Sequence, residues 1–171
     1  MNVIDTNSLK TRGFSGPVRL FTPEQCAAFM RHWRAVEDQQ PEGWESKLAA
    51  LGDPVFHDIA TRPQLLDLLR TALGEDVVLW GASVQVREPG QTHRWHSDAE
   101  SCGGEGFVSV WIGLEGTSRE ASLAMIPGSH LHGVSIQQAR AEKGGRAGSD
   151  AELLKRSEER RVGKECKHWW G

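Results

Sequence analysis

Hydrophobic residues in the first part of the chain recur at the spacing of amphipathic helices. Thr22 precedes a proline at the first helical position and a glutamine three residues later, which together form a capping-box pattern. Apolar positions follow at Cys26, Phe29, Met30 and Trp33. A second segment begins at Pro63 and is stopped by Gly74, and it carries a broad leucine stripe at Leu65, Leu66, Leu68, Leu69 and Leu73. We therefore predict two helices, one starting at Thr22 and one over 63–73.

After Gly74 the spacing changes to the alternation of strands. Over 75–90, one face carries Val78, Trp80, Ala82, Val84 and Val86, and the other carries Ser83, Gln85 and Arg87. Over 106–116, Val108, Val110, Ile112 and Leu114 alternate with Phe107, Ser109, Trp111 and Gly113. A third strand is predicted before Pro127-Gly128. Helices followed by closely spaced strands predict an α+β chain whose sheet is a sandwich or barrel.

Length and charge narrow the classes of protein. A chain of 171 residues fits one domain, and a net charge of -3 provides no basic field for nucleic acid or an anionic membrane. The three cysteines have no metal-site or CxxC spacing, and neither a signal peptide nor a transmembrane span is visible. We expect a soluble, cytoplasmic protein with a small-molecule partner. The sequence does not indicate an oligomeric state.

The composition changes abruptly over 156–171, where dense charge is followed by two tryptophans. Composition alone is equally typical of a solvated C-terminal helix. However, Arg156 to Cys166 resembles the translation of a common short-read sequencing adapter, without a break. We therefore predict that the natural residues end at or near Lys155 and that 156–171 is a non-native tail, which is excluded from the prediction of the fold.

His96 and Asp98 lie two residues apart in "THRWHSDAESCGG". On an extended strand this spacing places both side chains on one face, so that they could reach one metal ion. A His-x-Asp pair is a weak signal by itself. Its plain alternative is a polar loop in which Asp98 caps a turn and His96 is exposed.

The surrounding segments strengthen the metal interpretation. "VREPG" precedes "RWHSD", and "VSVWIGLEGTSREASLAMIPGSHLHG" follows. In this order and spacing, over about Phe21 to Gly133, the chain resembles the phytanoyl-CoA dioxygenase family of Fe(II)- and 2-oxoglutarate-dependent oxygenases. The resemblance implies a double-stranded β-helix, a cupin-like jelly roll with the N-terminal helices packed outside. It also implies that His96 and Asp98 are two of three protein ligands to Fe(II), and that 2-oxoglutarate and O2 are co-substrates in the hydroxylation of a small organic molecule.

Four further residues are candidates for binding the co-substrate. Trp111 matches the tryptophan that lines the co-substrate pocket in the family, and Ser109 shares its face. Gln85 and Arg87, on the polar face of the earlier strand, would point into the same cavity and could hold a carboxylate. The alternatives are a solvated strand end for Arg87 and core packing for Trp111. Of the other histidines before residue 156, His32 and His57 are interpreted as packing or surface residues and His130 and His132 as loop residues, while His93 lies near the site but off its parity.

The sequence also departs from the family pattern. The third iron ligand, a histidine, and the arginine that pairs with 2-oxoglutarate are not identifiable, and only about four of eight jelly-roll strands are visible. Residues 1–155 are therefore predicted to be a partial oxygenase domain, incomplete at the C-terminus, poorly folded and inactive. One alternative is a non-enzymatic cupin-like binding module in which His96 and Asp98 only form hydrogen bonds. A weaker alternative is a metal-dependent isomerase or hydrolase that recruits His93. The substrate is not indicated.

Overall fold

The helices carry most of the regular structure in this computed structural model. It describes residues 4–41, 43–48, 52–91, 95–98, 106–118, 121–132, 135, 138 and 160–161. In these ranges the α-helices are α1 (Thr6–Arg12), α2 (Pro23–Val36), α3 (Pro54–Ala60) and α4 (Pro63–Leu73). The 3-10 helices are Glu37–Gln39, Gly43–Leu48 and Ser129–His132, and the strands are β1 (Ala124–Met125) and β2 (Arg160–Arg161).

The chain divides into two compact units. The first unit contains residues 1–3, 18–91 and 112–116, and therefore α2, α3 and α4. The second unit contains residues 4–17, 92–111 and 117–171, and therefore α1, β1 and β2. Each is described by itself below.

Both predicted helices are confirmed. The Thr22 hydroxyl accepts the N–H of Gln25 at 3.3 Å, and the Gln25 side chain accepts the N–H of Thr22 at 2.9 Å, so the capping box is complete. At the end of α4, Gly74 has φ 92° and donates its N–H to the carbonyl of Arg70. Leu65, Leu68 and Leu69 are the buried residues of the predicted leucine stripe.

The core of the first unit is built from aromatic and aliphatic side chains. Its buried cluster comprises Phe21, Cys26, Phe56 and Ile59. Trp33 of α2 meets Phe56 of α3 edge to face, with 5.8 Å between ring centroids. Partly buried hydrophobic residues from the two segments predicted as strands also pack against this cluster; they are Leu79, Ala82, Val84, Ile112 and Leu114. The segments predicted as strands thus contribute to the core through part of their apolar residues.

The strands predicted over 75–90 and 106–116 are not confirmed. In the described part of the chain, the strands are only β1 and β2, an antiparallel pair in which Ala124 lies opposite Arg161. Alternation is a property of a single segment, whereas a strand also needs a neighbour that supplies a ladder of hydrogen bonds. In the first of these segments the N–H of Ala82 instead donates to the carbonyl of Lys47, at the end of a 3-10 helix, at 2.9 Å. The described residues therefore do not form the jelly roll that the family resemblance implies.

The predicted apolar face of 75–90 is wrong for three of its five residues. Val78, Trp80 and Val86 are 85%, 55% and 54% exposed. Before Gly81 the odd-numbered Leu79 packs on the core, and after it the even-numbered Ala82 does. The set of alternate residues that faces the core therefore changes at this glycine. A Cβ at Gly81 would lie 3.1 Å from the carbonyl oxygen of Lys47, which makes this a place of close backbone approach.

In the second unit, α1 ends against the turn that follows β1. Asp5 caps the start of α1 by accepting the N–H of Ser8 at 3.0 Å. At the other end, the N–H of Gly128 donates to the carbonyl of Arg12, and the Nε2 of His130 hydrogen-bonds to the carbonyl of Lys10, both at 2.9 Å. The Pro-Gly-Ser-His turn thus satisfies helix carbonyls that have no partner within α1.

Candidate metal-binding site

The structure brings His96 and Asp98 together in the second unit. The Nε2 of His96 lies 3.2 Å from the Oδ1 of Asp98. The two side chains are 42% and 40% exposed, so the pair remains open to solvent and to a ligand. A spacing of two residues thus places an imidazole nitrogen and a carboxylate oxygen around one point.

Ser109 is the third member of this cluster. Its hydroxyl donates a hydrogen bond of 2.7 Å to the Oδ2 of Asp98. The two oxygens of the carboxylate therefore have different surroundings, because Oδ1 faces His96 and Oδ2 accepts from Ser109. The site is an imidazole and a carboxylate, with a hydroxyl that orients the carboxylate.

The donor set fits a divalent metal ion. Two ligands at right angles on an octahedral ion, each about 2.1 Å away, lie about 3.0 Å from each other. The separation of 3.2 Å between His96 and Asp98 is close to this value. In the ranges that the structure describes, no group of three or more His, Cys, Asp or Glu residues forms a metal site. His93 lies outside the described residues.

Trp111 belongs to the same unit as the site. Its side chain is 55% exposed, which does not fit the alternative of ordinary core packing. Ser109 and Trp111 are two residues apart, as are His96 and Asp98. The role of Trp111 as a wall of the co-substrate pocket stays a prediction.

Gln85 and Arg87 form an exposed polar row in the first unit. The guanidinium of Arg87 donates to the Oε1 of Gln85 at 3.3 Å, and the amide of Gln85 donates to the hydroxyl of Ser83 at 3.1 Å. These side chains share one face, as their alternation predicts. Because they belong to a different unit from His96, their convergence on one cavity with it stays a prediction.

The segments that carry the candidate residues all lie within one region that matches a known protein family. The sequence model of the family described as phytanoyl-CoA dioxygenase (PhyH) matches residues 9–168. The chain belongs to the phytanoyl-CoA dioxygenase family. The match covers the His96-Asp98 motif, and it extends into 156–171, the segment predicted to be a non-native tail. No curated protein and no solved structure matches the chain significantly.

Membership of the phytanoyl-CoA dioxygenase family gives the cluster its chemical context. Proteins of this family are typically oxygenases, and they generally use Fe(II) and 2-oxoglutarate.

Within the described residues, none of the helices combines the length and apolarity needed to cross a bilayer.

A second histidine–carboxylate contact lies in the first unit, outside the family motif. The Nε2 of His32 is 2.6 Å from the Oδ2 of Asp53, while the Oδ1 of Asp53 caps α3 by accepting the N–H of Val55 at 2.8 Å. Burial alone would raise the pKa of Asp53, but the hydrogen bonds from His32 and Val55 outweigh it, so the pKa lies below its usual value. This pair was not predicted from the sequence. An Asp before a proline that opens a helix was the available signal.

Proposed function

We propose that this chain carries part of an Fe(II)- and 2-oxoglutarate-dependent dioxygenase domain that hydroxylates a small organic molecule; with only two of the three iron ligands identified, the chain itself is expected to be inactive. The observation that carries the proposal is the contact between His96 and Asp98, because it places two donors of the expected types at ligand spacing inside the family motif. The 2-His-1-carboxylate arrangement needs one further histidine, which the sequence pattern does not identify in this chain.

In this proposal, His96 and Asp98 hold the metal ion. His96 binds through Nε2 as a neutral imidazole, and Asp98 binds through Oδ1 as a carboxylate. When bound, the iron and its co-substrate supply the oxidation, in which O2 and 2-oxoglutarate give succinate and CO2 while a substrate C–H bond becomes C–OH. Asp98 occupies the position at which halogenating relatives have a small side chain, so no ligand site is vacated for chloride. Hydroxylation is therefore favoured over halogenation.

We assign the binding of 2-oxoglutarate to three residues on the basis of their side-chain chemistry. Arg87 has a guanidinium, and Gln85 has an amide, either of which can donate to a carboxylate of 2-oxoglutarate. Trp111 provides an apolar wall beside the site and excludes water from one side. The support for these roles is the shared polar face of Gln85 and Arg87 and the exposed ring of Trp111.

Metal binding by the full chain tests the proposal without knowledge of the substrate. Mn(II), which is stable in air, is titrated into the native chain and the His96→Ala and Asp98→Ala variants, with bound and free ion distinguished by electron paramagnetic resonance. We expect one site in the native chain, at least about tenfold weaker binding in both variants, and tighter binding when 2-oxoglutarate is present. His57→Ala, at an exposed histidine of α3, is the matched control. Equal binding by His96→Ala and the native chain would contradict the proposal.

The second candidate is a non-enzymatic, cupin-like small-molecule binding module. The observation that favours it is that His96, Asp98 and Ser109 already interact with one another, in a part of the structure where no group of three metal-ligating residues is found. Release of succinate from 2-oxoglutarate by the complete oxygenase domain separates the two candidates. An oxygenase releases it only with Fe(II) and O2, whereas a binding module releases none under any condition.

A further inference from the structure

We propose that Ser109 is a positioning residue that holds Asp98 as a single-oxygen ligand and thereby favours six-coordinate transition-metal ions over Ca²⁺. The inference rests on the proposed function, since it assumes a metal ion at His96 and Asp98. It differs from the expectation that Ser109 contacts the co-substrate, because the hydroxyl is already donated to the carboxylate.

The first step concerns the orientation of the carboxylate. An aspartate that is 40% exposed can rotate about its last side-chain bond and exchange its two oxygens at low cost. The hydrogen bond of 2.7 Å from Ser109 removes this freedom by holding Oδ2. Oδ1 is then the oxygen that faces His96, at 3.2 Å from its Nε2. The metal-binding geometry of the pair is therefore set before an ion arrives.

The second step concerns the kind of ion. A carboxylate that binds through one oxygen suits an octahedral first-row ion held by two histidines and one carboxylate. Ca²⁺ takes six to eight oxygen ligands and often uses both oxygens of one carboxylate. Since Ser109 already engages one lone pair of Oδ2, the two-oxygen mode would share that oxygen between the hydroxyl and the ion and would weaken the hydrogen bond. Ser109 thus penalises Ca²⁺ while supporting the binding of Fe(II) or Mn(II).

A purely structural role for Ser109 makes a different prediction. If the hydroxyl only linked residue 109 to residue 98, its removal would loosen the site for every cation alike. A positioning role changes the ratio of the affinities for Mn(II) and Ca²⁺. This ratio is therefore the decisive readout.

The test compares Ser109→Ala and Ser109→Thr with the native full chain. The Kd for Mn(II) is measured by titration, and the Kd for Ca²⁺ by competition against bound Mn(II). For Ser109→Ala we expect about tenfold weaker Mn(II) binding with Ca²⁺ binding equal or tighter, so that the preference for Mn(II) falls at least tenfold. Ser109→Thr keeps the hydroxyl and should restore the native preference.

Ser118→Ala is the matched control, because it also removes a serine hydroxyl that is hydrogen-bonded in the second unit, to the N–H of Ala121. It should leave both affinities unchanged. An equal loss of Mn(II) and Ca²⁺ binding in Ser109→Ala, or no change in either, overturns the inference while the proposed function stands. If the native chain binds no Mn(II), or if His96→Ala binds it equally well, the proposed function falls and this inference falls with it.

Discussion

The two histidine–carboxylate contacts described above differ in how exposed they are to solvent. In His32–Asp53, the carboxylate is 14% exposed and its oxygens are used by the imidazole and by the start of α3. In His96–Asp98, both side chains are about two-fifths exposed, and a serine hydroxyl orients the carboxylate. The first pair links α2 to the start of α3. The second pair is more exposed to solvent than the first, so accessibility distinguishes the candidate site.

The His32–Asp53 pair makes stability depend on pH. Because the folded-state pKa of Asp53 is lowered, its contribution is present above the unfolded-state value of about 3.9 and is lost as the pH falls through the lower folded-state value. Asp53→Asn keeps an oxygen for the cap but removes the charge. We expect it to be less stable than the native chain by on the order of 1 kcal/mol at pH 7. Urea unfolding at pH 7, 5 and 3 measures the difference, which should be the same at pH 7 and 5 and should shrink as the pH falls below about 3.9. A difference that is constant with pH would contradict this assignment.

Two α-helices of the first unit, α2 and α3, have a side-chain cap at their start. In α2 this cap is the capping box of Thr22 and Gln25, and in α3 it is Asp53. A cap depends only on residues within three or four positions of the helix start, so its signal is local in the sequence. The contribution of each cap to stability can be measured one residue at a time.

Removal of the α2 cap should cost about 1 kcal/mol. Thr22→Ala loses the oxygen that accepts the N–H of Gln25, and the return hydrogen bond from the backbone of Thr22 to the Gln25 side chain loses its support. Thr22→Ser retains the hydroxyl and serves as the control. Thermal unfolding followed by circular dichroism should place the serine variant near the native chain and the alanine variant below it. Equal melting temperatures for Ala and Ser would show that the box contributes nothing.

Helices and strands differed in how far the sequence predicted them. The bounds at Thr22 and Gly74 followed from local capping chemistry, and the structure confirms both. The strands around Trp80 and Val110 depended on partners elsewhere in the chain, which local alternation cannot identify. The same limit applies to the site. The contact of His96 with Asp98 followed from their spacing, whereas the hydrogen bond of Ser109 to Asp98 joins two segments and needed the structure.

The end of α1 has little room beside His130. Gly13 has φ 85°, and a Cβ there would lie 2.6 Å from the Nδ1 of His130. Gly13→Ala should therefore cost more than the roughly 1 kcal/mol of an unfavourable backbone conformation. Gly74→Ala is the matched control, since Gly74 has φ 92° and nothing within 4 Å of the added Cβ. Chemical denaturation should show a larger loss at Gly13, partly recovered in Gly13→Ala with His130→Ala. Equal losses at the two glycines would exclude the steric effect.

The whole molecule consists of two compact units that the family match spans together. Residues 9–168 include the last four residues of α1, all of α2 to α4, the site and β2. His96, Asp98, Ser109 and Trp111 belong to one unit, and Gln85 and Arg87 belong to the other.

The origin of 156–171 can be tested on DNA. The proposal that Arg156 to Cys166 derives from a sequencing adapter predicts that the genomic codons after Lys155 encode other residues. Amplification of the locus and sequencing through codon 155 provides the measurement. If the genome encodes "RSEERRVGKEC", the adapter interpretation is wrong, and the pairing of β2 with β1 belongs to the natural fold.

The anchoring of α1 also sets an order of events during synthesis. Lys10 and His130, whose hydrogen bond joins α1 to the turn after β1, are 120 residues apart. At about 5 to 20 residues per second, the ribosome needs roughly 6 to 24 s to add those 120 residues. During this time α1, a helix of seven residues, is too short to persist alone. The first helix to be synthesised is therefore among the last to become stable, and a nascent chain halted before Gly128 would carry these residues unfolded and accessible to chaperones and proteases.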